Sequence, residues 1–172
     1  LLVAKLADFG AARIEPTLVD ESHYSAAEFV GTKPYMPIEL IGQGHVSEKT
    51  DTFAYGVLLL ELLTGKPPSR KGGDFLYSEM HPQLRDLREL SARQLSAETL
   101  PRMLDPLLPT PDAAMQAKLL QLARIAARCL EMFARARCAV REVLVEIDVL
   151  AGRKAVCRPD RGVEFNPETG SR

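Results

Sequence analysis

No two cysteines in this 172-residue chain stand at CxxC spacing, and their number, three, is odd. Cys129, Cys138 and Cys157 therefore argue against a disulfide framework and against a zinc site. They read as reduced thiols in a cytosolic setting. His23, His45 and His81 are scattered and form no HExxH, so no metal is assigned to them. No apolar run approaches the length of a membrane span, and no charged N-terminal stretch leads into a cleavage site. Neither sign of charge dominates: 22 basic and 23 acidic residues give a net charge of -1. That balance excludes the strongly basic surfaces of nucleic-acid and anionic-membrane binders. No internal repeat is visible.

What is present is the composition of one globular domain, 46% hydrophobic and 26% charged. "LLVAKLADF" reads as a short strand closed by Gly10, and residues 11 to 36 as a long irregular segment, usually functional in a compact domain. "PIELIG" suits one or two helical turns. Ser47 is a suitable N-cap, Gly65 a suitable C′ residue and Pro67-Pro68 a stop, which predicts a helix near residues 50–64. Phe53, Ala54, Tyr55, Val57, Leu58, Leu59, Leu60, Leu62 and Leu63 leave it almost no polar face, so it is expected at the centre of the domain. Residues 68 to 82 read as loop, residues 83 to 104 as helical in pieces and "ETLPRMLDPLLPTP" as an irregular connector. Thr110-Pro111 reads as an N-cap followed by Pro at N1. The next helix carries Met115, Leu119, Leu122, Ala126 and Cys129; a last one carries Val140, Val143, Leu144, Ile147 and Leu150. The tail from residue 152 has little to bury and is expected to be disordered.

Asp8-Phe9-Gly10 alone leaves two readings open, a magnesium-holding turn or a strand-to-loop exit. Four further features follow it. Gly31-Thr32, Tyr35-Met36 and "PIE" ending in Glu39 resemble the G-T-x-x-Y-M-A-P-E segment of eukaryotic protein kinases. Asp51 to Gly56 resembles the D-x-W-S-F-G opening of the kinase central helix, and "LELLTGKPP" its end. "RCLEMFARARCAVREVLVEID" resembles the last kinase helices, with Arg137 at the family's arginine position. In this order, the set resembles the C-terminal lobe of a protein kinase over residues 3 to 150. "YMPIEL", and "MLDPLL" before a helix ending in "ARCL", resemble the serine/threonine kinases of the Pelle and receptor-like group. The absence of a tryptophan before the M-A-P-E segment also sets the chain apart from tyrosine kinases.

The resemblance implies a mainly α fold, a helical lobe around a buried central helix with one short N-terminal β-strand and no N-lobe, spanning residues 1–151. It implies transfer of the ATP γ-phosphate to protein hydroxyls, with ATP and magnesium as cofactors and a protein substrate as partner. Asp8 would be the magnesium ligand, a hard oxygen donor for a hard cation. Phe9 would pack beneath the site, and Gly10 would let the segment swing. The Thr32 hydroxyl would hold the catalytic carboxylate and lysine in line with a small alcohol nucleophile. Glu39 and Arg137 would form a buried ion pair. Asp51 would anchor the catalytic loop, its alternative being a dipole-favoured acid at a helix start. Gly56 belongs to the same helix opening.

Thr17, Ser22, Tyr24 and Ser25 are expected phosphorylation positions of the activation segment, Ser22 and Ser25 ahead of Thr17. Glu28, three residues before Gly31, is expected to stand in partly for a phosphate.

The chain departs from the family at Pro37-Ile38, at Phe53 in place of tryptophan, and at Phe133-Ala134 and Cys138 in place of an acidic-Pro turn and a proline. The last change predicts that the flanking helices run closer to continuous. No Gly-rich loop, phosphate-binding lysine, partner glutamate or H-R-D-x-x-x-x-N element occurs, so the chain by itself is expected to be inactive. The expected location is the cytoplasm, or the cytoplasmic side of a receptor should a preceding part cross a membrane. The alternative reading is a pseudokinase remnant serving as a non-catalytic interaction module.

Overall fold

A computed structural model describes residues 5, 7, 32–70, 73–90 and 99–154. They form α1 (Ile38–Gln43), α2 (Glu48–Thr64), α3 (Leu76–Glu79), α4 (His81–Glu89), α5 (Leu100–Met103), α6 (Ala113–Cys129) and α7 (Val140–Leu150). Single 3-10 turns occupy Lys33–Tyr35 and Ala134–Ala136. Among the described residues there is no strand, only one isolated antiparallel bridge between Ser69 and Phe75. Of the strand expected before Gly10 only residues 5 and 7 are described, and of the tail expected from residue 152 only residues 152–154, so both expectations otherwise lie outside the described residues.

Helix α2 begins where its capping residues dictate. Ser47 Oγ accepts from the Lys49 N–H at 3.3 Å, and Thr50 Oγ1 accepts from the Ser47 N–H at 3.1 Å. It ends at Gly65, whose φ of 64° is a left-handed conformation that glycine adopts without strain. A side chain at Gly65 would also meet the Asp105 carboxylate. Asp105 in turn ties the connector to α2, donating its N–H to the Leu63 carbonyl at 2.8 Å.

The core forms around α2. Phe53, Val57, Leu59, Leu60 and Leu63 pack with Leu76, Leu84, Leu87, Leu100 and Met103 and with one face of α6. At Gly56, α2 packs so near the end of α6 that an added Cβ would lie 2.7 Å from Cys129 Cβ and 2.8 Å from Leu130 Cγ. Only a residue without a side chain lets the two backbones meet there.

Several sequence expectations need correction. Helix α2 is not buried all round: Leu58 is 43% and Leu62 66% exposed. Its sequence lacks a polar face, so periodicity cannot reveal which side faces out. Residues 68 to 82 are not all loop, since α3 and the start of α4 fall there. Helix α5 lies within residues 83 to 104, expected to be helical in pieces, and shortens the connector that overlapped them. Asp112, not Thr110, caps α6, its carboxylate accepting from the Met115 N–H at 2.7 Å. A free N–H within reach favours the carboxylate two residues on. Met115 is 49% exposed; of the expected α6 series Ala126 and Cys129 are buried, and Leu120, Ala123, Ile125 and Ala127 complete the buried face. On α7, Val143 is buried while Val140 and Leu144 are exposed.

The last two helices do not approach continuity. Helix α6 stops at Cys129 and α7 starts at Val140, with the 3-10 turn between them. Cys138 supplies no proline stop, but the buried Arg137 beside it draws the segment inward.

Candidate functional site

Arg137 is the organising residue of the described structure. Its side chain is fully buried, and every guanidinium N–H has an acceptor. Nη1 donates to Glu39 Oε1 and to the Lys49 carbonyl at 3.3 Å. Nη2 donates to Glu39 Oε2 at 3.0 Å and to the Met132 carbonyl at 3.0 Å. Nε donates to the Glu131 carbonyl at 2.7 Å. The fork meets the Glu39 carboxylate with both nitrogens, the planar match that lysine cannot make. Beneath the guanidinium lies the Phe53 ring, its centroid 5.0 Å from Cζ. A cation over an aromatic face is attracted by the ring quadrupole.

Local structure explains how these groups converge. Pro37 is buried and Ile38 opens α1, so Glu39 falls in the first turn, where a carboxylate suits the helix dipole. Lys49, in the first turn of α2, donates its ammonium to the Arg137 carbonyl at 3.2 Å. The Glu131 side chain is held by Arg88 of α4, with Nε 2.9 Å from Oε1. One guanidinium therefore connects the 32–43 segment, the start of α2 and the loop between α6 and α7.

A second tie binds the same segment to α2. The Tyr35 hydroxyl donates to Glu61 Oε2 at 2.8 Å. Burial, this hydrogen bond and the Glu61 charge push the Tyr35 pKa up to about 12. Pro34 is buried in the turn before it.

The structure thus brings Glu39 and Arg137 together. Thr32 is exposed at the start of the 3-10 turn, and its carbonyl accepts from the Tyr35 N–H at 2.9 Å. Asp51 is exposed in the first turn of α2. Gly56 is buried at the α2–α6 contact. Asp8, Phe9, Gly10, Thr17, Ser22, Tyr24, Ser25, Glu28 and Gly31 lie outside the described residues. Among the described residues no cluster of three or more His, Cys, Asp or Glu side chains could hold a metal ion. Sequence reasoning missed Lys49, the Phe53 ring as a platform and the Tyr35–Glu61 bond. Tyr35 lies in a quoted motif, but no spacing points from it to Glu61.

The family model for the protein kinase domain matches residues 2–146, most of the chain. The chain belongs to the protein kinase domain family. It is 32% identical over 152 residues to an EPD1-interacting receptor-like cytoplasmic serine/threonine-protein kinase of Nicotiana benthamiana, covering 86% of this chain and 30% of that protein. It is 35% identical over 146 residues to the serine/threonine-protein kinase PCRK1 of Arabidopsis thaliana, covering 82% and 31%. Interleukin-1 receptor-associated kinase 3 of Mus musculus is 34% identical over 149 residues, covering 86% and 23%. These similarities lie with serine/threonine kinases of the receptor-like and interleukin-receptor-associated group. The chain spans about a third or less of the length of these three relatives. Its mostly helical structure fits the C-terminal lobe of such a domain, and among the described residues no helix is long and apolar enough to cross a membrane.

Proposed function

We propose that this chain is the helical, substrate-side part of a serine/threonine protein kinase that transfers the ATP γ-phosphate to protein hydroxyls. The observation that supports this reading best is the buried Arg137 node. It fixes the segment from Thr32 to Gln43 on the helical core, where a protein substrate needs a rigid platform. The exposed Leu58 and Leu62 of α2 fit the same reading, as a surface on which the preceding half of the domain seats.

In this reading Asp8 provides a hard carboxylate donor for magnesium, which when bound neutralises and orients the phosphates. Phe9 packs beneath Asp8, and Gly10 supplies backbone freedom. Thr32 orients the groups that handle the substrate hydroxyl. Asp51, exposed in the first turn of α2, anchors the loop that carries the catalytic base. The hydroxyls of Thr17, Ser22, Tyr24 and Ser25 are sites whose phosphorylation orders the segment, and Glu28 is a fixed partial substitute. Residues 1–151 form the lobe. The protein works in the cytoplasm or at the cytoplasmic face of a membrane.

The test uses the full-length protein that carries this chain, with labelled ATP, magnesium and a general protein substrate. The expected result is phosphate on serine and threonine, falling to background in Asp8→Ala. Incorporation that survives Asp8→Ala removes the magnesium role. No incorporation by the unmutated protein, with or without prior phosphorylation, overturns the enzyme reading in favour of a non-catalytic interaction module.

A further inference from the structure

We propose that Cys129 and Cys138 form a modification site, an intrachain disulfide that fastens the loop around Arg137. The two sulfurs lie 3.6 Å apart in the core, and both thiols are free. A disulfide needs about 2.05 Å, so closure takes a shift of about 1.5 Å. The pair stands at the two ends of the segment that supplies the Glu131 and Met132 carbonyls to Arg137, and Cys138 follows Arg137 directly. The proposal is independent of the phosphotransfer reading.

The surroundings assign an order to the chemistry. Cys138 is 8% exposed and Cys129 fully buried, so a small hydroperoxide reaches Cys138 first. The Arg128 guanidinium neighbours Cys138 and is itself held by Glu146 at 2.6 Å. Burial and the adjoining Cys138 sulfur push the Cys129 thiol far up, so it stays protonated until its partner is activated. The Cys138 sulfur attacks one peroxide oxygen; an S–O bond forms, the O–O bond breaks, and the thiol proton leaves with the departing alcohol, or with water from hydrogen peroxide. The Cys129 sulfur then attacks the sulfenic sulfur. The S–S bond forms, the S–O bond breaks, and the hydroxyl leaves as water with the Cys129 proton. Two electrons pass from the two thiols to the peroxide, and a dithiol returns them. Transient, redox-responsive disulfides are the kind expected of cytosolic proteins.

The test takes the full-length protein carrying Cys157→Ser, reduced and then treated with hydrogen peroxide under native conditions. Remaining thiols are alkylated in denaturant and the peptides mapped by mass. The expected result is a linked peptide pair joining Cys129 to Cys138, lost on dithiothreitol. The oxidised protein should unfold about 5 °C higher than the same sample after reduction. Cys138→Ser should leave Cys129 alkylatable; should that variant fail to fold, the comparison before and after dithiothreitol on one sample decides. Two alkylatable thiols after native peroxide treatment overturn the proposal, as does a linked pair that appears only in denaturant. Oxidised protein that unfolds no higher than reduced overturns the fastening role.

Discussion

Truncating Arg137 to alanine is the sharpest perturbation this structure offers. The change removes a fully buried guanidinium from a carboxylate, three backbone carbonyls and an aromatic face at once. Removing one partner of a buried ion pair costs about 3–5 kcal/mol, because the other charge stays behind without compensation. The upper end applies here. Glu39 has only 14% of its side chain exposed, so water restores little of what it loses. The carbonyls of Lys49, Glu131 and Met132 lose their donor as well, and the Phe53 contact adds about 0.5–2 kcal/mol. A loss near 5 kcal/mol lowers the midpoint of thermal unfolding by about 10–20 °C in a domain of this size. It is also a large fraction of the roughly 5–15 kcal/mol that holds an ordinary domain together.

The assay is urea unfolding of the intact protein followed by circular dichroism, with Arg137→Ala, Glu39→Ala and the double variant. Glu39→Ala should cost less than Arg137→Ala, near 3 kcal/mol, because the guanidinium keeps its carbonyl acceptors. The double variant should cost clearly less than the sum of the two, which is the signature of a shared interaction. Arg137→Lys should recover part of the loss, since an ammonium carries charge but cannot reproduce the fork. A loss below about 1 kcal/mol for Arg137→Ala would place the pair among exposed surface bridges and refute the reasoning.

Gly56→Ala forces a methyl group to within 2.7 Å of Cys129 Cβ, and should destabilise the protein by about 1–3 kcal/mol in the same urea assay; an unchanged midpoint would show that α2 and α6 stand farther apart than described. Tyr35 has a folded pKa raised from an ordinary value near 10 to about 12, so its contribution is fully present below pH 10 and is lost as pH rises through 12. Burial raises the Tyr55 and Tyr77 pKa values as well, so ultraviolet titration should show several late-ionising tyrosines, and Tyr35→Phe should remove amplitude from the late phase; a Tyr35→Phe titration that loses amplitude only near pH 10 would refute the Glu61 contact.

The sequence made the ends of α2 readable because caps act locally. Ser47 and Gly65 need only the backbone within a turn of them, so residue type and position suffice. The start of α6 was less readable for the same local reason: Thr110 and Asp112 can both cap, and only the final path of the chain decides between them. Burial was harder still. The buried face of α6 depends on Ala123, Ala126 and Ala127, which carry little hydrophobic signal. Larger residues such as Met115 attract attention on the outer side. Alanine and glycine are favoured at this contact because they let helices approach, so the signal weakens where the packing is tightest.

The Arg137 node shows a different limit. Glu39 and Arg137 came together in the sequence only through the order of the kinase motifs, because nothing in a separation of 98 positions measures a distance. The remaining acceptors of Arg137 are main-chain carbonyls at Lys49, Glu131 and Met132, and a carbonyl has no side-chain identity to read. This bears on the departures at Phe133-Ala134 and Cys138. The loop between α6 and α7 turns without a proline at position 138, and Arg137 takes two of its acceptors from that loop's backbone. Those acceptors survive almost any change of side chain. The segment can therefore carry a cysteine at position 138 while the guanidinium holds its place, and that cysteine puts a second thiol beside Cys129.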